Sequence, residues 1–129
     1  MKQLEQARIL FAKALEDERA AAALLNNPEI GDSIIGFHCQ QAAEKLLKAL
    51  LSVRCVVFRH THDLSALVGL LENSGYALPD DLREIEGLTR FAVEFRYDLI
   101  EEHSGFDRQA ALDLVVRLRS VVELSLIHI

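Results

Sequence analysis

Apolar residues return every three or four positions along almost the whole chain, and the one β-branched stretch, Val53 to Phe58, has no second strand to pair with. That pattern confines the fold to helices. Residues 2 to 25 place Leu4, Ala7, Phe11, Ala14, Leu15, Ala21, Ala22 and Leu25 at helical spacing and stop at Asn26, Asn27 and Pro28. After a break at Gly31, Asp32 and Ser33, a second helix carries Ile34, Ile35, Phe37, Ala42, Leu46, Ala49, Leu50 and Val53 and ends near Arg54. Thr61 or Asp63 caps a short helix bearing Leu64, Leu67, Val68 and Leu71, which stops at Asn73, Ser74 and Gly75. Pro79, with Asp80 and Asp81 in the first turn, opens an α-helix whose stripe is Leu82, Ile85, Leu88, Phe91, Ala92, Phe95 and Leu99. Asp107 caps the last helix, with Ala111, Leu114, Val115, Leu118, Val121, Val122 and Leu124 turned inward and an apolar tail from Leu124 to Ile129. The expected fold is all-α: an antiparallel up-and-down four-helix bundle with one additional short helix.

At 129 residues, half of them apolar, the chain reads as a single domain over residues 1–129. Such a domain buries enough surface to need no disulfide or metal. Cys39 and Cys55 lie sixteen residues apart, largely across one predicted helix; at about 1.5 Å per residue they are beyond disulfide reach, so two free thiols are expected. No apolar run is long enough to span a bilayer, and Lys2, Glu5, Arg8 and Lys13 break the N-terminus as a signal peptide would not allow. These features predict a cytoplasmic protein without a membrane partner. The net charge of −6 argues against wholesale coating of nucleic acid, and DNA is not an expected partner. Its acidity is uneven, because residues 61 to 98 carry eight acids and three bases whereas residues 26 to 60 carry three acids and four bases.

Within the second helix, the run Gly36, Phe37, His38, Cys39, Gln40, Gln41, Ala42, Ala43, Glu44, Lys45, Leu46, Leu47, Lys48, Ala49, Leu50 mixes small, polar and apolar residues. Ala42 and Ala43 permit close helix approach. His38 and Gln41 put hydrogen-bonding groups beside an apolar seam, where they either satisfy a neighbouring helix or a dimer seam, or serve a ligand. This run, followed by Thr61, His62, Asp63 and Leu64 and then by Phe95, Arg96 and Tyr97, resembles the HEPN domain family over nearly the whole chain.

In its ribonuclease members that resemblance implies a motif of Arg, four to six residues, then His; Arg96 and His103 are separated by six. An always-charged Arg can hold a scissile phosphate while a His moves the proton, so RNA is cut by its own 2′-hydroxyl without metal. On one continuous helix the two residues would share a face but lie about 10.5 Å apart along the axis. The family's dimers, with two motifs facing one cleft, would relieve that separation. Tyr97 and Asp98 depart from the small polar residue usual after the Arg, and Arg96, Tyr97 and Asp98 look more like the Arg, Tyr, Pro signature of a branch that often lacks the His. Arg96 as a structural ion pair or a nucleotide-phosphate contact is the alternative.

His60 and His62 with Cys55 and Cys39 match no zinc spacing, so no metal site is expected. No Gly-rich phosphate loop, nucleophile elbow or HExxH occurs, and no cofactor is implied. Two functions follow. One is the toxin of a toxin and antitoxin pair, a dimeric metal-independent endoribonuclease using Arg96 and His103 and paired with a minimal nucleotidyltransferase. The other is a non-catalytic nucleotide- or partner-binding module. In either, His38, Gln41, Lys45, Tyr97 and Asp98 are candidates for a binding face or dimer seam.

Overall fold

The computed structural model describes residues 2–92 and 106–128. In chain order the described elements are α1 (Lys2–Leu24), α2 (Asp32–Val53), α3 (Leu64–Asn73), a 3₁₀ helix η1 (Asp80–Phe91) and α4 (Arg108–Ile127). The fold is all-α, with no strand among the described residues. Val56 to Arg59 run as irregular connection, as expected for a β-branched stretch with no partner.

α2 is the hub, touching α1, α3, η1 and α4. Its broadest contact is with α1, which buries Ala7, Ala14 and Ala21 completely or nearly so, while Leu10, Phe11 and Leu24 are only partly covered. Residues seven apart in a helix fall within about 20° of one face. Small side chains at that spacing therefore let the two backbones lie close along their length. Ala42 and Ala43 of α2 are fully buried, as the small pair predicts.

Two ion pairs set the direction of α4. Arg108 at its start reaches the α1–α2 turn, pairing with Asp32 at 2.6 Å and donating to the carbonyls of Leu25, Asn27 and Ile30. Eleven residues on, Arg119 meets Glu18 of α1 at 3.0 Å. α4 thus runs antiparallel to α1 and parallel to α2, the relation expected of first, second and last helices in an up-and-down bundle. Asp32 spends its carboxylate on Arg108, and the α2 N-cap, Gly31, makes no side-chain cap bond.

The segment from Asp80 to Phe91 is a 3₁₀ helix and not the α-helix that the sequence suggested. Its buried residues are Leu82, Ile85, Leu88 and Phe91, spaced by three throughout. A 3₁₀ helix has three residues per turn, so that spacing stacks all four on one edge, whereas an α-helix would wind them progressively off the core. Pro79 stands just before the first turn, its carbonyl accepting from Leu82 N at 2.9 Å. Phe95 and Leu99, expected to extend the stripe, lie outside the described residues. At the far end Phe91 packs on the backbone of α2 at Gly36, where a Cβ would come within 2.5 Å of the ring.

The helix stops are local chemistry. Asp63 caps α3 by accepting from Ser65 N, and Asp107 caps α4 by accepting from Ala110 N, both at 3.0 Å. α3 closes with Tyr76 N bonding the Leu71 carbonyl and Gly75 N bonding Glu72, with Gly75 at φ +93°. α2 closes by the same pattern, Val56 N to Leu51 O and Cys55 N to Ser52 O, but a cysteine stands at the left-handed position with φ +58°.

Two outcomes test this packing. Ala42→Leu should overfill a contact with no spare volume and cost about 1–3 kcal/mol in a thermal melt. Cys55→Gly should raise stability by about 1 kcal/mol, because a left-handed residue with a Cβ is strained where glycine is not; equal melting temperatures for the two proteins would contradict it.

Candidate functional site

Polar residues enter the otherwise apolar α2 on two adjoining rows. His38, Gln41 and Lys45 follow a spacing of three and four and so share a helix face. The structure brings His38 and Lys45 together on one carboxylate of α1: His38 Nδ1 is 3.1 Å from Asp17 Oδ1, and Lys45 Nζ donates to Asp17 Oδ2 at 2.5 Å. Gln41 turns to the second row, donating to Gln40 Oε1 at 2.8 Å.

That second row is Gln40, Glu44, Lys48 and Ser52, one residue per four, all buried. Burying a charge costs several kcal/mol unless it is paired and hydrogen-bonded. Glu44 meets that demand through three partners. Oε2 accepts from Lys48 Nζ at 2.8 Å, while Oε1 accepts from Gln40 Nε2 at 3.1 Å and lies 2.8 Å from His62 Nδ1. Burial alone pushes this carboxyl up, but hydrogen bonds from Lys48, His62 and Gln40 and the charge of Lys48 outweigh it and hold the group below the ordinary carboxylate value. Gln40 spends its second amide hydrogen on the His62 carbonyl at 3.1 Å, so its amide is fully used.

His62 lies on the connection between α2 and α3. Its backbone and ring are both tied to α2, yet its side chain is 49% exposed. An ionised carboxylate can only accept, so the His62 nitrogen facing Glu44 carries the hydrogen and donates. In the neutral ring that leaves Nε2 with a free lone pair. The His60 ring meets His62 edge-on, with centroids 5.1 Å apart. Among the described residues no three His, Cys, Asp or Glu side chains converge as metal ligands. Cys39 and Cys55 are free thiols, Cys55 exposed and Cys39 buried, and burial pushes the Cys39 thiol up to about 12, far from a nucleophile's range.

Arg96, Tyr97, Asp98 and His103 lie outside the described residues. The residues flanking that segment are well placed: the rings of Phe91 and Phe106 stand 4.9 Å apart, and the Arg90 guanidinium lies 4.9 Å from the first centroid and 5.9 Å from the second. Phe91 and Phe106 thus meet beside Gly36 of α2. Sequence reasoning passed over Asp17, Glu44, Lys48 and His62 as a linked set. The signal available for part of it was the four-residue recurrence of polar residues in an apolar helix. The pairings with Asp17 and His62 carried none.

Residues 7–128 match the family model described as the HEPN domain, and the chain belongs to the HEPN domain family. No curated protein and no solved structure matches it at a significant level. Among the described residues no helix is long and apolar enough to cross a membrane.

Glu44→Gln leaves the buried Lys48 ammonium without a full counter-charge and should cost about 3 kcal/mol at neutral pH. Because the folded carboxyl sits below its ordinary value of 4.5, its stabilisation is complete above that pH and is lost as the pH falls through the folded value. The stability gap between wild type and Glu44→Gln in urea titrations should therefore be wider at pH 6 than at pH 3. A gap that stays constant with pH would contradict this account.

Proposed function

We propose that this HEPN protein is the toxin of a toxin and antitoxin pair, a metal-independent endoribonuclease that acts in the cytoplasm as a homodimer and is silenced by a minimal nucleotidyltransferase partner. The observation that carries the reading is the Arg96, six residues, His103 pattern inside a chain that belongs to this family. Arg96 holds the scissile phosphate of single-stranded RNA through a charge it cannot lose, and His103 moves a proton during attack by the 2′-hydroxyl. Dimerisation would bring two copies of the motif to one cleft, and the partly exposed His38, Gln41 and Lys45 are available to a partner.

The test is RNA cleavage in EDTA by wild type, Arg96→Ala and His103→Ala, with the oligomeric state measured by light scattering. Cleavage to 2′,3′-cyclic phosphate ends is expected from wild type, with at least a hundredfold loss in each variant. A folded, dimeric wild type that leaves RNA intact would instead favour a non-catalytic module that binds a nucleotide or a protein partner.

A further inference from the structure

The second half of α2 and the connection after it carry Lys45, Lys48, Arg54 and Arg59. The first three are engaged: Lys45 donates to Asp17, Lys48 to Glu44, and Arg54 to the Ser74 carbonyl. Arg59 is exposed and has no ion pair, hydrogen bond or ring contact among the described residues.

Arg59 lines an open cleft of about 380 Å³ between that connection and α3. Val57, Phe58 and Thr61 line it from the connection, and Ala66 and Leu70 line it from the helix. Four residues apart on α3, Ala66 and Leu70 share a face, while the other face, with Leu64, Leu67, Val68 and Leu71, is spent on the core. Val57 is 90% exposed, so an aliphatic side chain stands in water at the edge of this apolar surface. The two polar side chains of the lining are both donors. Thr61 Oγ1 accepts from Asp63 N at 3.1 Å, which leaves its own hydroxyl hydrogen to give. No carboxylate lines the cleft, and the nearby Asp63 carboxylate is turned onto Ser65 N.

We infer that this cleft binds a small organic monocarboxylate with an apolar body, its carboxylate held by Arg59 and Thr61 and its body laid against Phe58, Ala66 and Leu70. The inference is independent of the ribonuclease reading. A guanidinium fork matches a carboxylate through two parallel hydrogen bonds, and the Thr61 hydroxyl adds a third donor. An apolar surface with a few converging polar groups is the usual build of a small-molecule site. The lining also selects against a nucleotide. One guanidinium meets one negative charge, and no second cation and no side-chain amide line the cleft to take a phosphate's further charge or the edge of a base.

The probe is naphthoate, a fluorescent monocarboxylate with a two-ring apolar body, titrated into wild type, Arg59→Gln, Arg59→Lys and Ala66→Trp. Uncharged naphthamide and adenosine monophosphate are titrated alongside, and amide NMR of wild type locates the site. Positions 59 and 66 lie outside the core, and a thermal melt checks that each variant is folded. We expect saturable binding of naphthoate by wild type with a Kd of about 1 mM or tighter. Arg59→Gln should bind it about tenfold or more weakly, and naphthamide should lose as much on wild type, because each removes a charge-assisted hydrogen bond. Arg59→Lys should fall between, since an ammonium keeps the charge and loses the fork. Ala66→Trp should abolish binding by filling the cleft, and amide shifts should fall on residues 57–61 and 66–70. Equal affinity for naphthoate and naphthamide, wild-type affinity in Arg59→Gln, or shifts confined to other residues would overturn the site. Failure of naphthoate to saturate, or tighter binding of adenosine monophosphate at the same residues, would overturn the ligand class.

Discussion

A carboxylate placed in the middle of a helix that is buried on nearly every side must be neutralised or paired, and much of the architecture around α2 answers to that demand. Glu44 is 5% exposed and has Lys48, Gln40 and His62 within hydrogen-bond distance. Lys48 and Gln40 come from the same helix, one turn either side, so they are supplied wherever α2 forms. His62 is eighteen residues away and arrives only if the connection after α2 folds back over it. The charge therefore makes the return of that connection favourable as well as possible, and α3 starts where it does partly because His62 has to sit beside Glu44.

A second constraint is the absence of a side chain at Gly36. Phe91 occupies the space that a Cβ would fill, and Phe106 and Arg90 close over it. This cluster pins the end of η1 and the approach to α4 to one point on α2. Arg108 then ties the start of α4 to the turn between α1 and α2 through Asp32 and three carbonyls. One side chain here satisfies acceptors that would otherwise face one another across a tight turn.

These constraints bear on function through the division of polar residues on α2. Those on the row of His38 and Lys45 are held by Asp17 at the partly exposed edge of the α1 contact, whereas the row of Glu44 runs inward and emerges at His62. The network is satisfied at its buried positions and ends at the half-exposed ring of His62.

Helix content, the breaks near Asn26, Asn73 and Asp107, and most of the core were legible in the residues because each depends on neighbours within one or two turns, whereas Ala22 and Leu124, expected inward, are exposed. Apolar periodicity, a capping carboxylate and a left-handed glycine act locally, so Asp63, Gly75 and Asp107 could be placed without tertiary information. The 3₁₀ form of Asp80–Phe91 was legible in principle from the three-residue spacing, yet an α-helix with the same residues would have read alike over its first two turns. What only the tertiary structure decided were the pairings between distant segments: Asp17 with His38 and Lys45, Glu44 with His62, Gly36 with Phe91, Arg108 with the α1–α2 turn. Sequence spacing constrains which residues share a face, but not which face of another element will meet it. That choice is made by the packing of whole helices, where one buried charge or one missing Cβ selects among arrangements that local preferences leave equal.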